Sequence, residues 1–199
     1  SMTADAYGIY VESNGQTVTL GDLAISASAI TGGENATAYA LSTSNLDNTI
    51  EGGDLVLTAS AKSAQYASAS GITAWQNAGD TSLPGSTIGL KDLSVTVSAE
   101  VTGADGEAYA AGIDGDDKSE IRTGNGDIAI SAKSASGSAV YAAGIDSRNG
   151  SVSMGDATVK VLAEGVDNTV AAYGIRAWND NDSVRTGHVD VTVQATGGS

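Results

Sequence analysis

The chain has no cysteine, no phenylalanine and a single proline, and only 9 of its 199 residues are basic. Each shortage excludes something. Without cysteine there are no disulfides and no thiolate chemistry. Against 24 acidic residues the few Lys and Arg leave a net charge of −15. That balance disfavours nucleic acid, where affinity comes from neutralising phosphates, and anionic membrane surfaces. It leaves multivalent cations and cationic partners open. No apolar run approaches the ~18–20 residues of a bilayer-spanning helix. No stretch holds a 3.6-residue hydrophobic period over ten residues, which excludes a helical solenoid. Pro84, the lone proline, falls in a loop.

What is present is a repeat, the first thing to establish in any chain. The stretch Gly21-Asp22-Leu23-Ala24-Ile25-Ser26-Ala27-Ser28-Ala29 reads as a turn and then a strand with two-residue alternation. Related units begin at Gly53-Asp54-Leu55, Lys91-Asp92-Leu93, Gly126-Asp127-Ile128, Gly155-Asp156-Ala157 and Gly187-His188-Val189. A second landmark keeps the same period: Gly8-Ile9, Ala40-Leu41, Gly71-Ile72, Gly112-Ile113, Gly144-Ile145 and Gly174-Ile175. A short apolar piece lies between the two landmarks in every unit. Three strands per unit of about 32 residues is the economy of a parallel β-helix. A β-sandwich would give no reason for one unit to return six times in register.

The predicted fold is therefore all-β: a right-handed, three-sided parallel β-helix of about six coils, the hand following the usual chirality of parallel crossovers. The coils fall near 4–35, 36–65, 66–106, 107–138, 139–169 and 170–199. They form a single domain after an expression scar or leader at 1–3, and the chain reads as a fragment of a longer protein. Coil three carries insertions at Gln76 to Gly85 and Glu100 to Gly106.

Stacking predicts columns of like side chains. Leu23, Leu55, Leu93, Ile128, Ala157 and Val189 form one inward column, and Ile25, Leu57, Val95, Ile130, Val159 and Val191 the next. A third runs Ala27, Ala59, Val97, Ala132, Val161 and Val193. Asp22, Asp54, Asp92, Asp127 and Asp156 form a carboxylate column, with His188 in coil six. Each Asp is expected to accept turn amides while pointing into water, with bridging divalent cations as the sharper reading. The outward residues Ser26, Thr58, Thr96, Ser131 and Thr192 form a hydroxyl row broken by Lys160. Tyr7, Tyr39 and Tyr173 precede their Ile or Leu by two residues, and Tyr109 and Tyr141 by four. Even offsets predict that these rings share the inward face with the aliphatics, leaving an Ala/Gly face as a smooth exterior.

Units of the form Ala-Tyr-Gly-Ile, a polar turn, a short strand, then Gly-Asp-Leu-x-Ile-x-Ala resemble the β-helical passenger domains of bacterial autotransporters, the type V secretion system. The resemblance covers essentially the whole chain. It implies a passenger secreted through an outer-membrane barrel, a barrel this chain does not contain, and it implies adhesion, self-association or display of effector loops. The expected place is the bacterial cell surface or the extracellular space. The expected partner is a host or neighbouring-cell surface protein or glycan, or another copy of the chain.

Candidate sites are few. Asp114, Asp116 and Asp117 supply oxygens of the kind calcium takes, but the full D-x-D-x-D-G spacing with a distant Glu is absent. The expectation is no metal and no cofactor, these three being the residues that would hold calcium if it bound. Lys91, Lys118, Lys133 and Lys160 fall at different positions of the coil. His188 stands in a turn with no nucleophile set beside it, so no catalytic residue is assigned. Trp75 and Trp178 lie three residues past Ile72 and Ile175 and three coils apart. An exposed Trp can stack on a sugar or anchor a protein partner, and these two are the candidate surface-binding residues, with corner packing as the plainer reading. The functional expectation is a non-enzymatic surface or secreted passenger fragment. The alternatives are a carbohydrate-active enzyme of β-helix type and a purely structural stalk.

Overall fold

The computed structural model describes residues 2–44, 47–75, 84–116, 118–135, 139–166, 169–179 and 182–198. Each unit folds as three strands. Coil one holds β1 (Thr3–Val11), β2 (Thr17–Thr19) and β3 (Leu23–Ile30); coil two holds β4 (Asn35–Thr43), β5 (Thr49–Glu51) and β6 (Leu55–Ser63). Coil three follows with β7 (Tyr66–Ala74), β8 (Thr87–Gly89) and β9 (Leu93–Val101), and coil four with β10 (Glu107–Asp116), β11 (Glu120–Thr123) and β12 (Gly126–Ser134). Coil five has β13 (Ala139–Arg148), β14 (Ser151–Met154) and β15 (Ala157–Val166), and coil six β16 (Thr169–Ala177), β17 (Ser183–Arg185) and β18 (Val189–Gly198). Every strand pairs in parallel with the strand three places on. The result is three six-stranded parallel sheets, one for each strand position, wound as a solenoid with no helix among the described residues.

The interior is a set of aliphatic columns. Leu41, Ile72, Ile113 and Ile145 follow one another up the first sheet, with Ile9 and Ile175 at the ends. Ile50, Ile88 and Ile121 do the same on the second sheet. All seven of the central residues are fully buried, and each contributes about 1.5–3 kcal/mol by leaving water. On the third sheet Ile25 stands beside Leu57, as the column argument requires, and Leu57 beside Val95.

Coil four departs from the expected register by two residues. Ile128 stands beside Val95 and Val159, and Gly126 takes the place beside Leu93 and Ala157. The same shift moves Ile130 into the column of Val97 and Val161, and puts Ala129, not Ser131, beside Thr96 and Lys160. The reason lies in the turn. The side chain that stacks with Asp92 and Asp156 belongs to Asn125, while Asp127 faces out between Ser94 and Thr158.

That column is an amide ladder. Asp22 Oδ1 accepts the Asp54 N–H at 3.0 Å, Asp54 Oδ1 the Asp92 N–H at 3.4 Å, and Asp92 Oδ1 the Asn125 N–H at 2.9 Å. Asn125 Oδ1 then accepts the Asp156 N–H at 3.0 Å, and Asp156 Oδ1 the His188 N–H at 2.8 Å. Each side chain thus caps the next coil, not its own turn. Four of the five recipient amides follow a glycine, at positions 53, 124, 155 and 187. A Cβ at any of them would run into the accepting oxygen, 2.7 Å away at Gly124 and at Gly155. The fifth amide follows Lys91, which has a Cβ, and its bond is the longest of the five.

The tyrosine face is also reversed from expectation. Ala38, Ala69, Ala110 and Ala142 are fully buried, whereas Tyr7 and Tyr173 are exposed. The parity argument fails at the Gly of each Gly-Ile pair. That residue and the following aliphatic both face inward, as the fully buried pair Ala40 and Leu41 illustrates. At Gly71, Gly112 and Gly144 a Cβ would meet the β-branched side chains Val95, Ile128 and Val159 of the third sheet and the carbonyl of the next coil. At these three positions the first and third sheets approach too closely for any side chain, Ala40 in coil two being the largest residue of the column, and the rings are left outside.

Candidate functional site

All seven tyrosines lie in strands of the first sheet, and Trp75 and Trp178 directly follow β7 and β16 of that sheet. With no Phe in the chain, the first sheet carries every Phe, Tyr or Trp ring the protein has. Two adjacent outward columns hold most of them. Tyr7, Tyr39, Ser70, Ala111, Ala143 and Tyr173 form one; Asp5, Thr37, Ser68, Tyr109, Tyr141 and Ala171 form the other. The rings stack along the solenoid, with Tyr109 and Tyr141 parallel at 4.9 Å and Tyr7 and Tyr39 tilted at 5.6 Å.

Beside the rings runs an ionic column of Asp114, Asp146 and Arg176 on successive coils. Asp146 is fully buried and saturated. Arg176 donates to both its oxygens at 3.1 and 2.7 Å, Tyr141 donates its hydroxyl at 2.9 Å, and Trp178 donates Nε1–H at 2.7 Å. Arg176 is itself sandwiched by aromatics, 3.5 Å from the Trp178 ring centre and 4.4 Å from that of Tyr173. One coil earlier Asp114 receives Arg148 at 3.1 Å and the Tyr109 hydroxyl at 3.1 Å.

Burial sets the titration of these groups. It pushes Asp146 up to about 6, and the neighbouring Asp114 carboxylate adds to this, against the Trp178 N–H and Arg148. The two-pronged Arg176 contact also favours the ionised form, so Asp146 is a carboxylate at neutral pH. Burial brings Arg176 down to about 10, and it stays cationic. Burial alone would lower Arg148, but Asp114 more than reverses it. Burial raises the Tyr39 hydroxyl to about 12, against a Ser68 hydrogen bond, and raises Tyr109 further, helped by Asp114 and Asp146.

Coil three interrupts the ring columns. Its β7 has Ser68 and Ser70 where neighbouring coils place tyrosine. A cavity of about 350 Å³ opens in that gap, walled by Tyr39, Tyr66, Trp75 and Tyr109. Its floor is Ser68, Ser70 and Thr73, and its far end is Asp114, Asp116 and Arg148. Ser70 Oγ, Thr73 Oγ1 and Arg148 Nε are buried with no hydrogen-bond partner. Leaving such an atom unsatisfied costs about 1–3 kcal/mol, so three in one place need an explanation. A wider groove of about 500 Å³ follows the amide ladder; in it one oxygen each of Asp54, Asp92, Asn125 and Asp156 already accepts a backbone amide.

Compared with known proteins, the chain matches no family model, no curated protein and no solved structure.

The structure brings some of the sequence candidates together. Trp75 lines the cavity, and Trp178 follows the same sheet three coils on, pinned by Asp146. Both sit in the turn just after their strand and both are exposed. Asp114 and Asp116 stand at the cavity's end, where Arg148 occupies both Asp114 oxygens, at 3.3 and 3.1 Å. A cation there would have to displace a guanidinium. Asp117 and residues 76–83 of the first insertion lie outside the described residues. Among the described residues no group of three or more His, Cys, Asp or Glu converges for a metal. His188 is on the surface, 3.5 Å from Asp190. Sequence reasoning missed Asp146, Arg148, Arg176 and the serine gap. Only the gap left a trace in the sequence, as the one coil with no tyrosine in the middle of its first strand.

Proposed function

We propose that this chain is a non-enzymatic passenger-type β-helix of a secreted or cell-surface protein, acting in adhesion by binding through its first sheet. The observation that carries the reading is the segregation of every tyrosine and tryptophan to one of three sheets. A core that needed rings for bulk would hold them inside. These are outside, six of them exposed: Tyr7, Tyr10, Tyr66, Trp75, Tyr173 and Trp178. Tyr and Trp offer large contact area at small entropic cost and are enriched at binding surfaces. Lack of cysteine, a strongly acidic solvated exterior and the autotransporter-like repeat units fit the same reading.

The enzymatic alternative has a weaker basis. Asp114 and Asp146 are the paired carboxylates a glycosidase would use. Arg148, Arg176 and three ring donors hold them, which leaves no oxygen positioned for proton transfer. The test is attachment. Labelled protein is applied to epithelial cells, to extracellular-matrix proteins and to immobilised glycans, beside a Tyr66→Ala/Trp75→Ala variant and a Thr158→Ala control on the third sheet. Attachment lost only in the aromatic variant is the expected result. Attachment indifferent to both, or turnover of a polysaccharide, would overturn the proposal.

A further inference from the structure

The geometry points to the serine gap of coil three as a binding site for one neutral sugar residue of a glycan. This rests on the first sheet being the binding surface, and it names what that surface holds.

Three features select the ligand class. The walls are ring faces from Tyr39, Tyr66, Trp75 and Tyr109, which suit a flat ligand with C–H faces. The floor is hydroxylic. Ser70 and Thr73 are 1% and 6% exposed, and their oxygens have no partner. Each can donate once and accept twice, so the ligand must carry groups that do both, which describes sugar hydroxyls. Arg148 Nε offers a further unpartnered donor at the far end while its Nη2 holds Asp114. The volume, about 350 Å³, lies at the small end of the ~300–1,000 Å³ range for ligand sites.

Charge narrows the class. Arg148 is already paired with Asp114, and Asp116 adds a carboxylate to the same end of the cavity. On a molecule of net charge −15 an acidic sugar meets repulsion. A quaternary ammonium would suit the rings but would leave Ser70 and Thr73 unpaired and face a guanidinium. A neutral hexose or N-acetylhexosamine matches the site in kind, with C–H faces for the rings, hydroxyls that donate and accept for the floor, and no charge to be repelled.

The fold itself supplies the test. Ser70 stands in the column of Tyr7 and Tyr39, so Ser70→Tyr fills the gap with a side chain that the column already accommodates one coil away. Saturation-transfer NMR and Trp fluorescence would be measured with methyl glucosides, galactosides and mannosides and with N-acetylglucosamine. Methyl glucuronide and tetramethylammonium serve as charged probes. Binding of at least one neutral glycoside is expected, weakened tenfold or more by Ser70→Tyr and by Trp75→Ala, reduced by Thr73→Val, and unchanged by Thr158→Ala on the third sheet. Glucuronide and tetramethylammonium should bind at least tenfold more weakly than the best neutral glycoside. Tighter binding of either charged probe, or neutral binding unaffected by Ser70→Tyr, overturns the assignment. If no glycoside binds while Trp75→Ala still abolishes cell attachment, the sugar assignment fails and the adhesion reading stands. If attachment also survives loss of the rings, both fall.

Discussion

Removing Arg176 should destabilise this protein more than any other single surface-sheet change, and should do so in a pH-dependent way. Its guanidinium supplies two of the four hydrogen bonds to Asp146, a fully buried carboxylate. In Arg176→Ala that charge stays buried one coil from Asp114 with only Tyr141 and Trp178 left as donors. Breaking a buried pair from one side costs about 3–5 kcal/mol, and the lost stacking against Tyr173 and Trp178 adds to it. For a chain of this size that is a fall of roughly 6–20 °C in Tm. The pH dependence follows from Asp146, raised to about 6 from an ordinary 3.8. Between those values the folded state holds a proton that the unfolded state has released. Its contribution is therefore fully present below about pH 3.8 and is lost as pH rises through 6, an effect of about 3 kcal/mol. Without Arg176 the carboxyl pKa rises further, so the variant's deficit should be large at pH 8 and shrink towards pH 5. Urea denaturation at both pH values, with a carbon-13 titration of the Asp146 carboxyl, measures this. A deficit under 1 kcal/mol at pH 8, or one that is the same at pH 5, would refute the reasoning.

Other consequences can be checked in the same denaturation assay. Asp92→Ala removes the acceptor for the Asn125 amide and should cost about 1 kcal/mol. Asp92→Asn, which copies what coil four already uses, should stay within about 0.5 kcal/mol, and hydrogen exchange at Asn125 should quicken only in the alanine variant. Gly112→Ala would place its Cβ 2.5 Å from both the Gly144 carbonyl oxygen and Ile128 Cγ2; overpacking of this kind costs about 1–3 kcal/mol, read as a lower urea midpoint. Asp105 holds a left-handed backbone at φ 59°, so Asp105→Gly should gain up to about 0.5 kcal/mol, since Asp bears that conformation better than most residues but Gly better still.

The repeat made the architecture legible, because a parallel solenoid writes itself into sequence as equivalent residues at one period. Strand order, the three-sheet arrangement and the contact between Ile25 and Leu57 all followed from that. Register within coil four did not. Asp127 in a Gly-Asp pair looks like the other ladder residues, yet Asn125 occupies the ladder, because an Asn oxygen accepts the same amide and the glycine before it leaves the same space. The facing of the tyrosines was misread for a related reason. Alternation is a local rule, and it breaks at the glycine where two sheets meet too closely for a side chain.

The site divides along the same line. Trp75 and Trp178 stood out in the sequence as large rings at a strand end. Asp146, Arg148 and Arg176 did not, since a lone Asp or Arg at the end of a strand looks like solvated surface. What the sequence by itself determined is the winding, since hydrophobic period and turn residues act over a few positions and recur. What only the tertiary structure decided is which side chains from different coils meet: the saturated Asp146, the rings outside the wall, and the unpartnered hydroxyls of the serine gap. Those depend on a two-residue register and on the distance between sheets, and no single coil carries either quantity.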